Sequence, residues 1–277
     1  MRAQRASGGA SPGGASRLAV IGHPVSHSRS PAMQGAALAD LALAPEWTYE
    51  AIDIDTSDLA ARVRELPGLG FAGINVTVPH KEAALALADR AGDAAKAIGA
   101  ANTLVFEKDS IRAENTDAPG LLNAIGELPP GLSALVLGAG GAARAVLWAL
   151  AGAGMDVAVW NRTASRAQSM VGELGGRVEA EPDGTEFDLI VNASAAGLAG
   201  RDGLADLPLA PSDFRPGQTV VDMVYGAEPS TLLAAAAEAG ATVIDGLEIL
   251  VRQGALSLEI WTGLSPSLEV MRAAALD

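Results

Sequence analysis

The sequence predicts an α/β protein containing a doubly wound parallel sheet, and three observations predict it. Short apolar runs alternate with helical stretches along most of the 277 residues, and SALVLG, DVAVWN, FDLIVNAS and TVVDMVY are four such runs in the second half. A glycine-rich turn joins SALVLG directly to the helical AARAVLWAL. A Pro/Gly segment, LPPG at 128–131, separates two stretches that are each long enough for a modest domain.

Composition narrows the function classes. There is no cysteine, so disulfides, thiolate metal sites and cysteine nucleophiles are excluded, as a reducing cytoplasm would suit. A net charge of −14 argues against sequence-independent contact with nucleic acid or an anionic membrane, and no apolar run spans a bilayer. An anionic ligand must therefore be held by local positive groups, which prevail because salt screens the global field beyond about 8 Å. The expected partner is a small molecule, and the chain is expected to act as a monomer or homodimer in the cytoplasm. Residues 1–16, MRAQRASGGASPGGAS, lack the apolar core of a secretory signal and read as a disordered tail.

Ordered sequence begins at RLAVIGHPV, a strand closed by Gly22 and Pro24. A helix over about 31–43 follows, with Ser30 as its cap and Pro31 as its first residue. WTYEAIDID is a strand, and TSDLAARVREL is a helix capped by Thr56 or Ser57. GINVTV is a strand whose alternation puts Asn75 and Thr77 on one face and Ile74, Val76 and Val78 on the other, until Pro79 ends it. KEAALALAD then starts a helix with Lys81 in its first turn, where the macrodipole disfavours a cation by roughly 0.3–1 kcal/mol. Such a placement suits proton transfer; an exposed lysine reaching into water is the competing reading. A short AAKAIG helix, the strand NTLVF, a strand near IRAEN and a helix over 117–128 complete the first half. Residues 246–275 read as helix throughout.

SALVLGAGGAARAVLWAL carries the G-x-G-x-x-G/A pattern at Gly138, Gly140 and Ala143. The first glycine permits the tight turn, the second a close approach of backbone to pyrophosphate, and the alanine close packing of helix on strand. The next strand ends in WNRT, with Asn161 and Arg162 where an NAD site would place an acid, and Arg166 one turn on. An acid would repel a 2′-phosphate, whereas guanidinium binds one through charge-assisted bonds. The cofactor expected is NADP, and no metal is expected, since His23 and His27 lack a third ligand at metal spacing.

Elsewhere, GHPVSHSRSP offers Ser28 and Ser30, two apart and able to point the same way toward the oxygens of a polyol acid. AANTLVF and ENTDAPG add Asn102, Asn115 and Asp117; Asp117 is either the cap of the following helix or a carboxylate close enough to steer Lys81. Gln253 shares a partly apolar stripe with Leu250, Ser257 and Ile260, where an amide needs a partner.

SHSRSP, NVTVPHK, ANTL, ENTDAPG, GAGGAAR, NRTASRA, DMVY and DGLEILVRQ stand in this order, and over 17–277 the chain resembles the shikimate dehydrogenases. The resemblance implies a substrate-binding domain over 17–117, completed by 247–277, and a Rossmann NADP-binding domain over 118–246. It implies NADPH-dependent reduction of 3-dehydroshikimate to shikimate in aromatic amino acid biosynthesis, with Lys81 and Asp117 as the proton-transfer pair. Ser28, Ser30, Asn75, Thr77, Lys81, Asn102, Asp117, Tyr225 and Gln253 would contact substrate. Gly138, Ala139, Gly140, Gly141, Ala142, Asn161, Arg162, Thr163, Arg166, Met223 and Gly246 would line the cofactor. Enzymes acting on quinate or on an amino-substituted shikimate, a non-catalytic NADP(H)-binding module and a methyltransferase are the alternatives. Two residues depart from the family pattern: Ala227 stands where a proline is usual, and Gly254 stands where alanine is usual, at an expected cost of up to about 1 kcal/mol.

Overall fold

The computed structural model describes residues 16–127, 129–198, 202–226 and 228–276. Most of the expected tail and the Ala227 departure lie outside the described residues, but Ser16 already belongs to the first strand.

The first sheet is built around β1 (Ser16–Gly22), flanked by parallel β2 (Trp47–Asp53) and β3 (Phe71–Val76). Beyond β3 lie antiparallel β5 (Thr103–Glu107) and β6 (Ser110–Glu114), with the two-residue β4 (Arg90–Ala91) at the edge. Alternation decides what covers each face. Ala19, Ile21, Ile74, Val76 and Leu104 meet Leu59 and Val63 of α2 (Leu59–Glu65) and Ala84 of α3 (Lys81–Leu87). Leu18 and Val105, on the opposite face, meet Met33 and Leu38 of α1 (Ser30–Asp40). The same face receives the end of the chain, α9 (Gly246–Thr262) and α10 (Leu268–Leu276), through Val251, Leu258, Trp261 and Met271. Trp261 fills the space that Gly73 leaves open, where a Cβ would lie 2.1 Å from its Nε1, and that nitrogen donates to Leu104 O at 3.0 Å. Truncating such a buried ring costs about 3–5 kcal/mol, so the return of the C-terminus is a fixed part of this lobe.

Beyond α4 (Asp93–Ile98) and β5–β6, α5 (Asp117–Ile125) leads into the second sheet, of order β12-β11-β10-β7-β8-β9. Its strands β7 (Ser133–Leu137), β8 (Asp156–Trp160), β9 (Arg177–Val178), β10 (Leu189–Asn192), β11 (Thr219–Asp222) and β12 (Thr242–Ile244) are all parallel. Val136, Val159 and Val191 face α6 (Gly141–Gly152) and α7 (Ala164–Leu174), while Leu135, Ala158 and Ile190 face α8 (Thr231–Glu238), so helices cover both sides. No helix of the described residues is long and apolar enough to cross a membrane.

Several local expectations are corrected. Ser30 is the first residue of α1 rather than its cap, because Arg29 occupies that position. Neither Thr56 nor Ser57 caps α2; Asp58 precedes the helix, and the Asp55 carboxylate instead accepts from Ser57 N at 2.9 Å. Val78 is exposed, since β3 stops at Val76. The helix expected over 117–128 stops at Ile125, because Gly126 follows at φ +82° and turns the chain away. The C-terminal helix is two helices, parted where Gly263 turns left-handed at φ 72°. The short edge strands β9 and β12 do not stand out as apolar runs. Gly254 has a packing reason that offsets its low helix propensity: a Cβ there would lie 2.5 Å from the Met33 methyl, and its carbonyl accepts from Gln34 Nε2 at 3.0 Å.

Candidate active site

The carboxyl ends of β1 and β3, the start of α3 and the start of α5 converge on one side of a cleft, with the glycine-rich turn of the second sheet opposite. Lys81 opens α3 and Asp117 opens α5. Lys81 Nζ donates to Asp117 Oδ2 at 2.7 Å, with the carboxylate buried and the ammonium nearly so. Asp117 is free for this contact because it does not cap its own helix. The Asn115 side-chain oxygen accepts from Asp117 N and Ala118 N at 3.1 and 3.3 Å, doing the capping instead. The second oxygen, Asp117 Oδ1, accepts from Asn102 Nδ2 at 2.9 Å, so the carboxylate is oriented from both sides.

Behind the pair lies a buried polar network. Asn102 Nδ2 also reaches Thr116 Oγ1 at 2.8 Å and Gln253 Oε1 at 3.0 Å, while its oxygen accepts from Thr116 N at 2.7 Å. Gln253, on α9, is brought in by Gly120 of α5, where a Cβ would lie 2.9 Å from Gln253 Cβ, and its nitrogen donates to Leu250 O at 2.8 Å. Asn75 Oδ1 accepts from Tyr49 OH at 2.7 Å, and Asn75 Nδ2 donates to Ser257 Oγ at 2.9 Å. The Ser257 hydroxyl pairs in turn with those of Thr103 at 2.8 Å and Thr116 at 3.0 Å. Every amide is thereby held in one orientation, because a flip would set donor against donor or acceptor against acceptor.

Ser28 lies in the loop after β1 and Ser30 opens α1, with Ser28 Oγ accepting from Ser30 N at 3.3 Å. The loop is tied to the end of β2, where the Asp53 carboxylate accepts from His23 Nδ1 at 2.6 Å and from Val25 N at 3.1 Å. The histidine bond raises the imidazole above its ordinary value and lowers the carboxyl below its own. Burial pushes the Tyr49 phenol well above its ordinary value; a hydrogen bond with Ser30 opposes the shift, and the nearby Tyr225 adds to it. The phenol therefore remains a neutral donor linking the serine loop to Asn75. Thr77 follows β3 with its methyl against Gly22, whose Cβ would lie 2.4 Å away.

On the facing side, α6 starts at Gly141 with no side-chain cap and no acid in its first turn, leaving its orphan N–H groups for an anion. Gly138 has φ +121° and presses on the Ala193 backbone, so only glycine fits, whereas the space over Gly140 is open. That open cradle, with Ala139 and Ala142 beside it, fits a pyrophosphate. Asn161 Nδ2 donates to Thr163 O at 2.9 Å, shaping the turn after β8. Arg162 lies in this turn and Arg166 in the first turn of α7; both are exposed, and among the described residues neither forms an ion pair. Met223 and Gly246 touch, since a Cβ on Gly246 would lie 2.6 Å from Met223 O. The loop carrying Met223 and Tyr225 is anchored by buried Asp222, whose carboxylate accepts from Val224 N at 3.0 Å, Asn192 Nδ2 at 2.9 Å and Ser230 Oγ at 2.6 Å. Burial raises that carboxyl despite the three bonds. Among the described residues, no group of three or more His, Asp or Glu is placed to hold a metal ion.

Known proteins resemble this chain in sequence and fold. Residues 20–104 match the model of the shikimate dehydrogenase substrate binding domain, and residues 246–276 that of the shikimate 5′-dehydrogenase C-terminal domain. A shikimate dehydrogenase (NADP(+)) of Thermus thermophilus is 45% identical over 262 residues, covering 94% of this chain and 97% of that protein. That of Moorella thermoacetica is 41% identical over 270 residues, covering 92% and 90%. The chain belongs to the shikimate dehydrogenase family.

A crystal structure of a Thermus thermophilus shikimate 5-dehydrogenase in complex with NADP(H) and shikimate superposes with a TM-score of 0.85 at 43% identity, covering 94% of this chain and 98% of that one. The shikimate dehydrogenase architecture of an N-terminal substrate-binding domain and a Rossmann-like domain is present here. Of the residues expected from the sequence on the substrate side, Asn75, Lys81, Asn102, Asp117 and Gln253 meet in one network and Ser30 joins it through Tyr49, whereas Ser28 is bonded to Ser30 N and Thr77 packs on Gly22. Tyr49, Thr103 and Thr116 were missed as site residues, and Ser257 was seen only as a neighbour of Gln253. The polar alternation of WTYEAIDID and the hydroxyls beside Asn102 and Asp117 were the available signals.

Proposed function

We propose that this chain catalyses the reversible NADPH-dependent reduction of 3-dehydroshikimate to shikimate, in aromatic amino acid biosynthesis. The observation that carries the reading is the 2.7 Å bond between Lys81 and Asp117, residues 36 apart in sequence that share one cleft wall. NADPH, when bound, supplies a hydride to the ring ketone. Gly138, Ala139, Gly140, Gly141 and Ala142 would hold its pyrophosphate, Asn161, Arg162, Thr163 and Arg166 its 2′-phosphate, and Met223 and Gly246 would flank the rest. Ser28 and Ser30, with Tyr225, bind the substrate carboxylate, and Asn75, Thr77, Asn102 and Gln253 bind the ring hydroxyls. Lys81 gives a proton to the ketone oxygen as that oxygen gains charge, and takes it back in the oxidation. Asp117 keeps the ammonium aimed and compensates its charge, while Asn102 keeps Asp117 aimed. The substrate domain comprises 17–117 with 247–277, and the cofactor domain 118–246.

The test is steady-state absorbance of the reduced nicotinamide, with shikimate or quinate set against NADP+ or NAD+. Efficient turnover is expected for shikimate with NADP+. Preference for quinate with NAD+ would reassign the substrate, and no turnover with any pair would leave a binding module.

A further inference from the structure

We infer that Arg144 is a positioning residue for proton transfer: it joins the helix of the phosphate-binding turn to the segment that sets Lys81 and Asn102. The inference rests on the functional reading above and adds a residue that reading does not use.

Arg144 lies one turn into α6 and is only 9% exposed. A buried guanidinium needs hydrogen-bonded partners to remain there. Its Nε donates across the contact between the two lobes to Ile98 O at 2.6 Å, the last carbonyl of α4, and its Nη2 to Glu173 of α7 at 2.7 Å. A cation at a helix C-terminus complements the dipole and satisfies an orphan carbonyl. Gly99 follows at φ +74°, and a Cβ there would lie 2.4 Å from Arg144 Nη2. The residue that ends α4 is thus also the one whose missing side chain admits the guanidinium.

From that joint the chain runs straight into the site, bonded at each step. Ala100 O accepts from Asn115 Nδ2 at 2.9 Å, and Asn115 caps the helix that begins at Asp117. Ala101 N donates to Lys81 O at 2.9 Å, and Asn102 comes next. A Cβ on Gly141, the first residue of α6, would lie 2.6 Å from Lys81 Cβ and 3.4 Å from Ala100 Cβ. Gly141 therefore serves the lysine as well as the cofactor, letting the two lobes meet at the reacting pair. Ile98, Ala100, Ala118, Ala145 and Ala149 form a small apolar seam around this contact. Arg144 pins that seam with charge, and it acts through the backbone of 98–102 without reaching substrate.

The experiment compares R144M and R144K with the wild type in shikimate oxidation, and measures NADP+ binding by calorimetry. Because small misplacements of reacting groups cost up to about 100-fold, R144M should lower kcat by roughly 10- to 100-fold. NADP+ affinity should stay within about threefold, and R144K should recover part of kcat. The isotope effect on kcat with shikimate deuterated at the oxidised carbon should rise, which a general loss of stability would not produce. If R144M is insoluble, R144K is read by the same measurements, with a smaller loss expected. R144M with kcat within about twofold of wild type, R144K with unchanged kcat where R144M is insoluble, or either variant with NADP+ affinity falling in step with kcat, overturns the inference. A wild type that oxidises no shikimate overturns the functional reading, and this inference with it; an active wild type with an unaffected variant overturns this inference alone.

Discussion

The two walls of the cleft solve opposite problems. On the substrate side, Asn75, Asn102, Asp117, Gln253 and Ser257 already hold one another by hydrogen bonds of 2.8–3.0 Å between side chains drawn from β3, α5, α9 and their flanking loops. On the cofactor side the binding groups are left open: uncapped N–H groups at the start of α6, space over Gly140, and two exposed arginines without ion partners among the described residues. The hydroxyls of a polyol acid must be recognised by groups whose donor and acceptor directions are set beforehand, since each mispaired group costs about 1–3 kcal/mol. A polyphosphate brings its own charge and needs only unpaired donors waiting for it. The substrate wall is thus expected to fail by misorientation and the cofactor wall by simple loss of attraction.

The largest effect that separates them is at Lys81. Lys81→Ala should lower kcat by roughly 10²–10⁴-fold with little change in shikimate KM, because a proton donor is lost while the hydroxyl contacts remain. Steady-state kinetics in both directions measure this, and normal turnover would remove the lysine from the mechanism. Next in size is the double substitution R162A/R166A, expected to raise the KM for NADP+ by roughly 10- to 100-fold through loss of charge-assisted bonds. Activity with NAD+, which lacks the 2′-phosphate, should be unchanged. An equal loss with both dinucleotides would mean that the arginines shape the turn rather than bind phosphate.

The same contrast explains what could be read from the sequence. The cofactor wall is local: Gly138 to Ala143 follow one strand and open one helix, and Arg162 ends the next strand, so order along the chain is also order in space. The parallel sheet followed from apolar runs, yet its edges β9 and β12 escaped, being too short and too exposed to show periodicity. The substrate wall is not local. Asn75 and Ser257 are 182 residues apart and touch only because α9 crosses back over the first sheet, a path set by Trp261 in the gap at Gly73. Family resemblance named Asn75 and Gln253, but it could not show that Tyr49 and Ser257 hold the Asn75 amide from either end. Asp117 illustrates the limit in one residue: its position suggested a helix cap, and only the Asn115 side chain, taking that role, shows why it is free for Lys81.

Ser257→Ala should therefore disturb the substrate wall alone. Asn75 Nδ2 and the hydroxyls of Thr103 and Thr116 would lose a shared buried partner, at a cost of about 1–3 kcal/mol in stability by denaturant melts. Shikimate KM should rise several-fold, by roughly the factor one neutral hydrogen bond carries, with NADP+ KM unchanged. Ser257→Thr should restore much of the loss, and unchanged KM in Ser257→Ala would show that Asn75 needs no help from α9.

The smallest effect is at the loop that carries Ser28 and leads into Ser30. The His23 imidazole is raised above 6.5 chiefly by its hydrogen bond to Asp53, and Asp53 is lowered below 3.8 chiefly by the same bond. The sign follows for each partner. The His23 contribution is complete below the unfolded value near 6.5 and is lost as pH rises through the higher folded value. The Asp53 contribution is complete above 3.8 and is lost as pH falls through the lower folded value. Both groups are solvent-exposed, so the pair steers the loop more than it stabilises the fold. In Asp53→Asn, NMR titration of the His23 ring should show its midpoint returning toward 6.5. The pH at which shikimate KM begins to rise on the alkaline side should move down with it. A His23 midpoint unmoved by Asp53→Asn would show that the imidazole owes its shift to something other than this bond, the nearby Asp55 included.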